Sequence, residues 1–312
     1  MGQNGSSPTC PLTKEKQMNN SISIGSSAML VELSIRSWTG RKLDKSVSAE
    51  IDVAKNTKTS VVNANKNLMA GTGVLDKIIK YAANAQAWHI SQTLPWTDNG
   101  SRLLPMSNFM VYKDQLGKME EGYNALVDKF IDAYPNLITA AAFQLGDLFE
   151  RTEYPQIHTL KQRFAFGYTF SPVPNAGDFR IDINEEAKAE IIANCNKAYE
   201  DRLNNAMRDA WERLQDCLTR MSDRLVVDVV HGADGTPSHE FRVFRDSLVE
   251  NAKELVDMLQ HLNLTKDPMM EQARRDLNHV LIKYDAETLR ESFTARTDAK
   301  AQVDAILNKM SF

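Results

Sequence analysis

Between Ile191 and Leu225, apolar or small side chains return at steps of three and four, through Cys195, Tyr199, Leu203, Ala206, Ala210, Leu214, Cys217 and Met221. A helix turns every 3.6 residues, so this spacing lays one stripe along about forty residues, longer than most globular helices. Such a rod packs along a bundle or lies in a subunit interface. Ala206, Ala210 and Leu214 are the interface candidates, because small residues on a stripe permit close approach. Asn184 before Glu185 and Glu186 reads as its N-cap.

Other stretches carry the same period. "VLDKIIKYAANAQAWHISQTL" places Leu75, Ile78, Ala82, Ala85 and His89 on one stripe, and Val47, Ile51 and Ala54 mark a shorter helix. Phe109, Tyr112, Leu116, Tyr123, Phe130 and Tyr134 predict a long helix that Pro135 ends, with a second helix starting there. "RDSLVENAKELVDMLQHL" is amphipathic, Asp267 and Pro268 open the next helix, and Asp285 and Asp298 read as caps of two more. "PWTDNGSRLLP" is dense in turn formers and reads as a loop.

Two-residue alternation marks the strands. Met29, Val31, Leu33 and Ile35 share a face, as do Phe164, Phe166, Tyr168 and Phe170, and Phe179, Ile181 and Ile183. Strands at 29–35, 164–170 and 179–183 are expected in one small antiparallel sheet, with a minor hairpin near 226–243. The face opposite the Phe164–Phe170 aromatics is Ala, Gly and Thr, which bury little area, so the aromatic face is the one to be buried. The reading is an α-dominated α+β fold: a long-helix bundle with a small antiparallel sheet. It is one helix-rich domain over 28–312 after a polar, disordered tail at 1–27. "MGQNGS" at the start also fits the short myristoylation pattern.

Three cysteines, Cys10, Cys195 and Cys217, have no metal-ligand spacing, and Cys195 and Cys217 on one helix would stand about 33 Å apart, beyond disulfide reach. That fits a reducing, cytoplasmic setting. No apolar run is long enough to span a bilayer. The net charge of −4 is uneven, because residues 1–80 hold eleven Lys/Arg against six Asp/Glu. A basic end on an acidic body points to an anionic partner or to complementary surfaces in a homo-oligomer.

No catalytic motif is present: there is no HExxH, no GxSxG and no Walker phosphate loop. His231, Asp234, His239 and Glu240 lie close in sequence, yet a turn tip is a poor scaffold for convergent metal ligands, so neither metal nor cofactor is expected. The best constellation is "IRSWTGRKLDK", with Arg36, Trp38, Arg41, Lys42 and Lys45 within ten residues. Cations beside an indole can neutralise phosphates while the ring stacks on a base. The simpler reading puts Trp38 in the core and leaves the cations as a solvated strand end.

Several segments taken together carry a resemblance: "MLVELSIRSWTGRKLDKSVS", "QTLPWTDNGSRLLP", "SPVPNAGDFRIDI", "AMRDAWERL", "VFRDSLVENAKELVDML" and "LNLTKDP". They resemble an uncharacterised helix-rich family of bacteriophages, plasmids and integrative conjugative elements, often encoded near a MoxR- or cobalt-chelatase-like AAA+ ATPase. The resemblance implies a mobile-element protein with a possible ATPase partner, and it assigns no residue a role. "VVDVVHGADGTPSHE" looks like an insertion. The expectation is a non-enzymatic protein that assembles with itself or a partner in DNA-related processes. The alternatives are single-stranded DNA binding or annealing through Arg36, Trp38, Arg41, Lys42 and Lys45, and an adaptor of the AAA+ ATPase.

Overall fold

The computed structural model describes residues 25–310 other than 59–60, 99, 175–184 and 232–236. Strands β1 (Ala28–Arg36) and β2 (Arg41–Leu43), helix α1 (Lys45–Ala54), strand β3 (Asn65–Asn67) and helix α2 (Val74–Gln92) come first. Strands β4 (Leu94–Pro95) and β5 (Arg102–Pro105) precede helix α3 (Phe109–Leu145), the short helix α4 (Ile157–Lys161) and strand β6 (Ala165–Pro172). Helix α5 (Glu185–Leu225), the pair β7 (Val227–His231) and β8 (Pro237–Phe241), and helices α6 (Asp246–Leu262), α7 (Pro268–Lys283), α8 (Ala286–Glu291) and α9 (Phe293–Met310) complete the order. Helix dominates and the sheets are small, so the fold class is α-dominated α+β.

The main sheet has the order β4-β5-β1-β6, antiparallel at β4–β5 and β5–β1, with Leu30 opposite Leu103 and Met29 opposite Leu104. The strands read at 29–35 and 164–170 are therefore neighbours, while 179–183 lies outside the described residues. Also outside fall residues 1–24 of the expected tail, with the myristoylation pattern, the Asn184 cap and the 232–236 tip with Asp234. The aromatic face of β6 is the buried one: Phe164 and Phe166 are buried, each with a ring 5.7 Å away on α3, Phe130 and Tyr123 respectively.

Three local expectations are corrected. Pro135 does not end a helix, since α3 runs through it for 37 residues. Proline removes one backbone donor, but Tyr134 and Ile138 on either side are buried, and their packing outweighs the lost bond. The stretch read as a loop holds β4 and β5, because Leu94, Leu103 and Leu104 are fully buried and their backbone must pair. Asp298 caps nothing. It lies inside α9 and accepts from the Tyr284 hydroxyl, Lys283 Nζ and Gln302 Nε2, while Ser292 Oγ accepts from Ala295 N–H at the start of α9.

The chain groups into two compact units, where one domain over 28–312 is the sequence reading. A long-helix unit comprises Met1–Val31, Gln92–Phe109 and Phe170–Phe312. A ribbon unit comprises Glu32–Ser91 and Met110–Thr169. Each unit is assembled from separated segments, so no single linker marks the division.

In the long-helix unit, α5 packs against α9, α6 and β4, with Ala206, Ala210, Leu214, Leu218 and Met221 at its buried centre. At its C-terminal end the buried Arg296 reaches back from α9. Its guanidinium donates to the Arg224 and Arg242 carbonyls and lies 5.0 Å from the Phe241 ring centre. Cations at a helix C-terminus satisfy orphan carbonyls and oppose the helix dipole. In the ribbon unit, the stripes of α2 and α3 form the core, and Gly122 lets Tyr81 cross α3. A Cβ there would stand 3.0 Å from the Tyr81 Cζ.

Candidate nucleic-acid interface

Of the residues singled out for phosphate binding, Arg41 and Lys42 lie on the β2–β3 ribbon, Arg36 ends β1 and Lys45 opens α1, and buried tyrosines brace the backbone around them. Tyr123 on α3 donates to the Arg36 carbonyl at 2.5 Å, and its hydroxyl lies 2.8 Å from Ser37 Oγ. Tyr134 donates to the Pro155 carbonyl at 3.1 Å and Tyr154 to the Leu68 carbonyl at 2.9 Å. Burial pushes all three phenols above the ordinary tyrosine value, Tyr134 up to about 12, so they remain donors well into the alkaline range. Gly40 turns the chain into β2 with φ of +65°, and its carbonyl accepts from Leu68 N–H at 2.7 Å. An added Cβ would meet Leu75 Cδ2 at 2.8 Å.

Strands β2 and β3 pair antiparallel, with Arg41 opposite Asn67, Lys42 opposite Lys66 and Leu43 opposite Asn65. The two lysines share a face, yet their fates differ. Lys66 is drawn in: Nζ lies 2.7 Å from Glu153 Oε2 and 3.4 Å from Asp44 Oδ2, and donates to the Leu148 carbonyl at 3.0 Å. Its pKa is raised, first by Glu153. Asp44 also caps α1 by accepting from Val47 N–H, which with Lys66 holds its carboxyl below the usual range. Asp44 and Glu153 are thereby both committed to Lys66.

Lys42 is left exposed, as are Arg36, Arg41 and Lys45, and none of the four has an ion-pair partner among the described residues. Trp38 goes elsewhere. It is only 6% exposed and packs on Phe130 and Tyr134, with ring centres 6.2 and 6.1 Å away. Arg41 and Lys42 lie on the β2–β3 ribbon, Arg36 ends β1 and Lys45 opens α1, whereas the Trp38 indole belongs to the core.

The interface candidates are placed differently. Ala206, Ala210 and Leu214 are fully buried among residues of their own chain. The close approach that their size permits is spent on packing within the molecule, so they are unavailable to a second subunit.

Sequence reasoning missed a second cationic group on the same unit. An open cleft of about 800 Å³ is lined by Arg151, Gln156, Ile157, His158, Lys161 and Gln162. Its only sequence signal is "RTEYPQIHTLKQR", four basic or imidazole side chains over thirteen residues without a helical or strand period. By charge the ribbon unit is the basic one, with 15 Lys/Arg against 13 Asp/Glu, while the rest of the chain holds 22 against 28.

Among the described residues no group of His, Cys, Asp and Glu is arranged to hold a metal ion, and no helix is long and apolar enough to cross a membrane. Set against protein-family models, curated proteins and solved structures, the chain matches none.

Proposed function

We propose that the protein is a non-enzymatic nucleic-acid-binding protein that grips phosphates through the β2–β3 ribbon, and that it serves DNA transactions of a bacteriophage or another mobile element. One observation carries the binding reading: Arg36, Arg41, Lys42 and Lys45 are exposed and make no ion pair among the described residues, while Asp44 and Glu153 are tied to Lys66. Phosphate contacts of this kind supply affinity without reading sequence. The mobile-element setting comes from the resemblance of the quoted segments. With Trp38 in the core, affinity comes from charge and no base-stacking contribution is expected from the indole.

The test is fluorescence anisotropy of a labelled oligothymidylate in low salt, comparing the wild-type protein with the Arg41→Ala, Lys42→Ala double variant. The variant is expected to melt as the wild type does and to bind at least tenfold more weakly, since each lost charge-assisted bond is worth about 1.5 kcal/mol or more. A wild-type protein that binds no oligonucleotide at low salt sinks the reading.

A further inference from the structure

The cleft beside α4 has the chemistry of a ligand site, and nothing in the ribbon reading uses it. Its wall carries Arg151, His158 and Lys161, two amides from Gln156 and Gln162, and the half-exposed side chain of Ile157. Among the described residues no carboxylate lines it. The acids close by in sequence are engaged elsewhere: Glu150 accepts from Thr152 N–H and Oγ, and Glu153 is held by Lys66. Arg151 makes no ion pair among the described residues. Its charge acts on the Tyr134 phenol together with that of Arg163, against the upward push of burial. Lys161 meets Asp128 at 3.3 Å, but both side chains are about two-thirds exposed, and such pairs are weak and readily exchanged.

The cleft is wide and open, so a ligand there is held at the surface by its charged and polar groups. A guanidinium offers a planar fork that matches phosphate oxygens in pairs, and a neighbouring ammonium adds a second positive charge. The apolar Ile157 and the two glutamines offer a flat body something to lie on and hydrogen-bonding groups for its edge. We propose that this cleft binds a phosphate monoester attached to a planar or apolar body, as in a nucleotide. Arg151 and Lys161 grip the phosphate, and Ile157, Gln156 and Gln162 hold the rest. Two sources share this chemistry, a free mononucleotide and the 5′-phosphorylated end of a strand. The proposal stands apart from the ribbon reading, and either can fail alone.

Isothermal titration calorimetry on the full chain tests it with thymidine 5′-monophosphate, inorganic phosphate and thymidine. The nucleotide is expected to bind measurably better than inorganic phosphate, and thymidine not at all. Arg151→Gln and Lys161→Gln are each expected to weaken the nucleotide at least tenfold with the melting temperature unchanged, whereas Arg41→Ala with Lys42→Ala leaves it alone. Tighter binding of a 5′-phosphorylated than of an unphosphorylated oligothymidylate, lost in the Arg151→Gln protein, assigns the site to strand ends. Equal binding of the two oligonucleotides, with the mononucleotide still bound, assigns it to free nucleotides. Absence of mononucleotide binding to the wild-type protein, or binding that Arg151→Gln leaves intact, overturns the proposal.

Discussion

Replacing Trp38 with alanine separates a core indole from a stacking one. The side chain is 6% exposed and touches two aromatic rings of α3. Burying about 200 Å² of aromatic surface at about 25 cal/mol/Å² is worth at most about 5 kcal/mol. Measured truncations of this kind cost about 3–5 kcal/mol, so about 4 kcal/mol is expected. The ribbon unit has about 120 residues. At about 2.1 cal/mol/K of unfolding entropy per residue, that loss lowers its melting temperature by about 16 °C. Differential scanning calorimetry reads the shift, and oligonucleotide binding by the folded protein well below the transition reads the function. The core reading expects the large drop in melting temperature and little change in binding. An unchanged melting temperature with binding weakened by about 1–3 kcal/mol, the worth of a stacked base, refutes it.

Four further outcomes follow from the packing and charges described. Ala210→Leu should cost about 1–3 kcal/mol by overpacking the centre of the long-helix unit, and light scattering should show the same mass in solution as the wild type; a changed mass would return this stripe to an interface role. Pro135→Ala should raise the melting temperature, because an exposed interior helix position gains up to about 3 kcal/mol when proline gives way to alanine; a fall would mean that the proline shape is needed. Glu271 bonds Arg274 and Arg275, chiefly Arg274, which pull its carboxyl down to about 2. A depressed pKa contributes stability above the ordinary value of 4.5 that is lost as pH falls from there to 2. Thermal melts of Glu271→Gln should therefore fall below wild type at neutral pH and converge with it near pH 2, and parallel curves would contradict this. Lys66→Met should strand two carboxylates against the ribbon and lower the melting temperature more than Lys42→Ala does; equal effects would mean that the clasp holds nothing.

Much of the architecture follows from periodicity. The stripe ending at Leu225 is a 41-residue helix, and Asp267 with Pro268 opens α7 as its residue types require, with the carboxylate accepting from Met269 N–H. Where local rules fail, burial overrides them. Pro135 sits between two buried residues of a helix too well packed to break there. Leu103 and Leu104 pair as a strand although flanked by turn formers. Small residues in a long stripe mark close approach but cannot say whether the neighbour is the same chain or another, and here Ala206 and Ala210 meet their own chain. The cations Arg36, Arg41, Lys42 and Lys45 were legible because they lie within ten residues of one another. The cleft was not, because it gathers exposed side chains around one short helix, and exposed positions carry no period. The fate of Lys66 was equally hidden, since it depends on Glu153, far along the chain.

The slope of log affinity against log salt for oligothymidylate tests the central claim most directly. Each phosphate contact on a single strand contributes about 0.7 to that slope, so the four cations give a steepness of about 2.8. The wild-type protein should show at least that value, and a variant carrying Arg36→Ala, Arg41→Ala, Lys42→Ala and Lys45→Ala should lose about 2.8 of it while remaining folded. Equal slopes in the two proteins, or affinity in the wild type that salt does not change, would contradict the account.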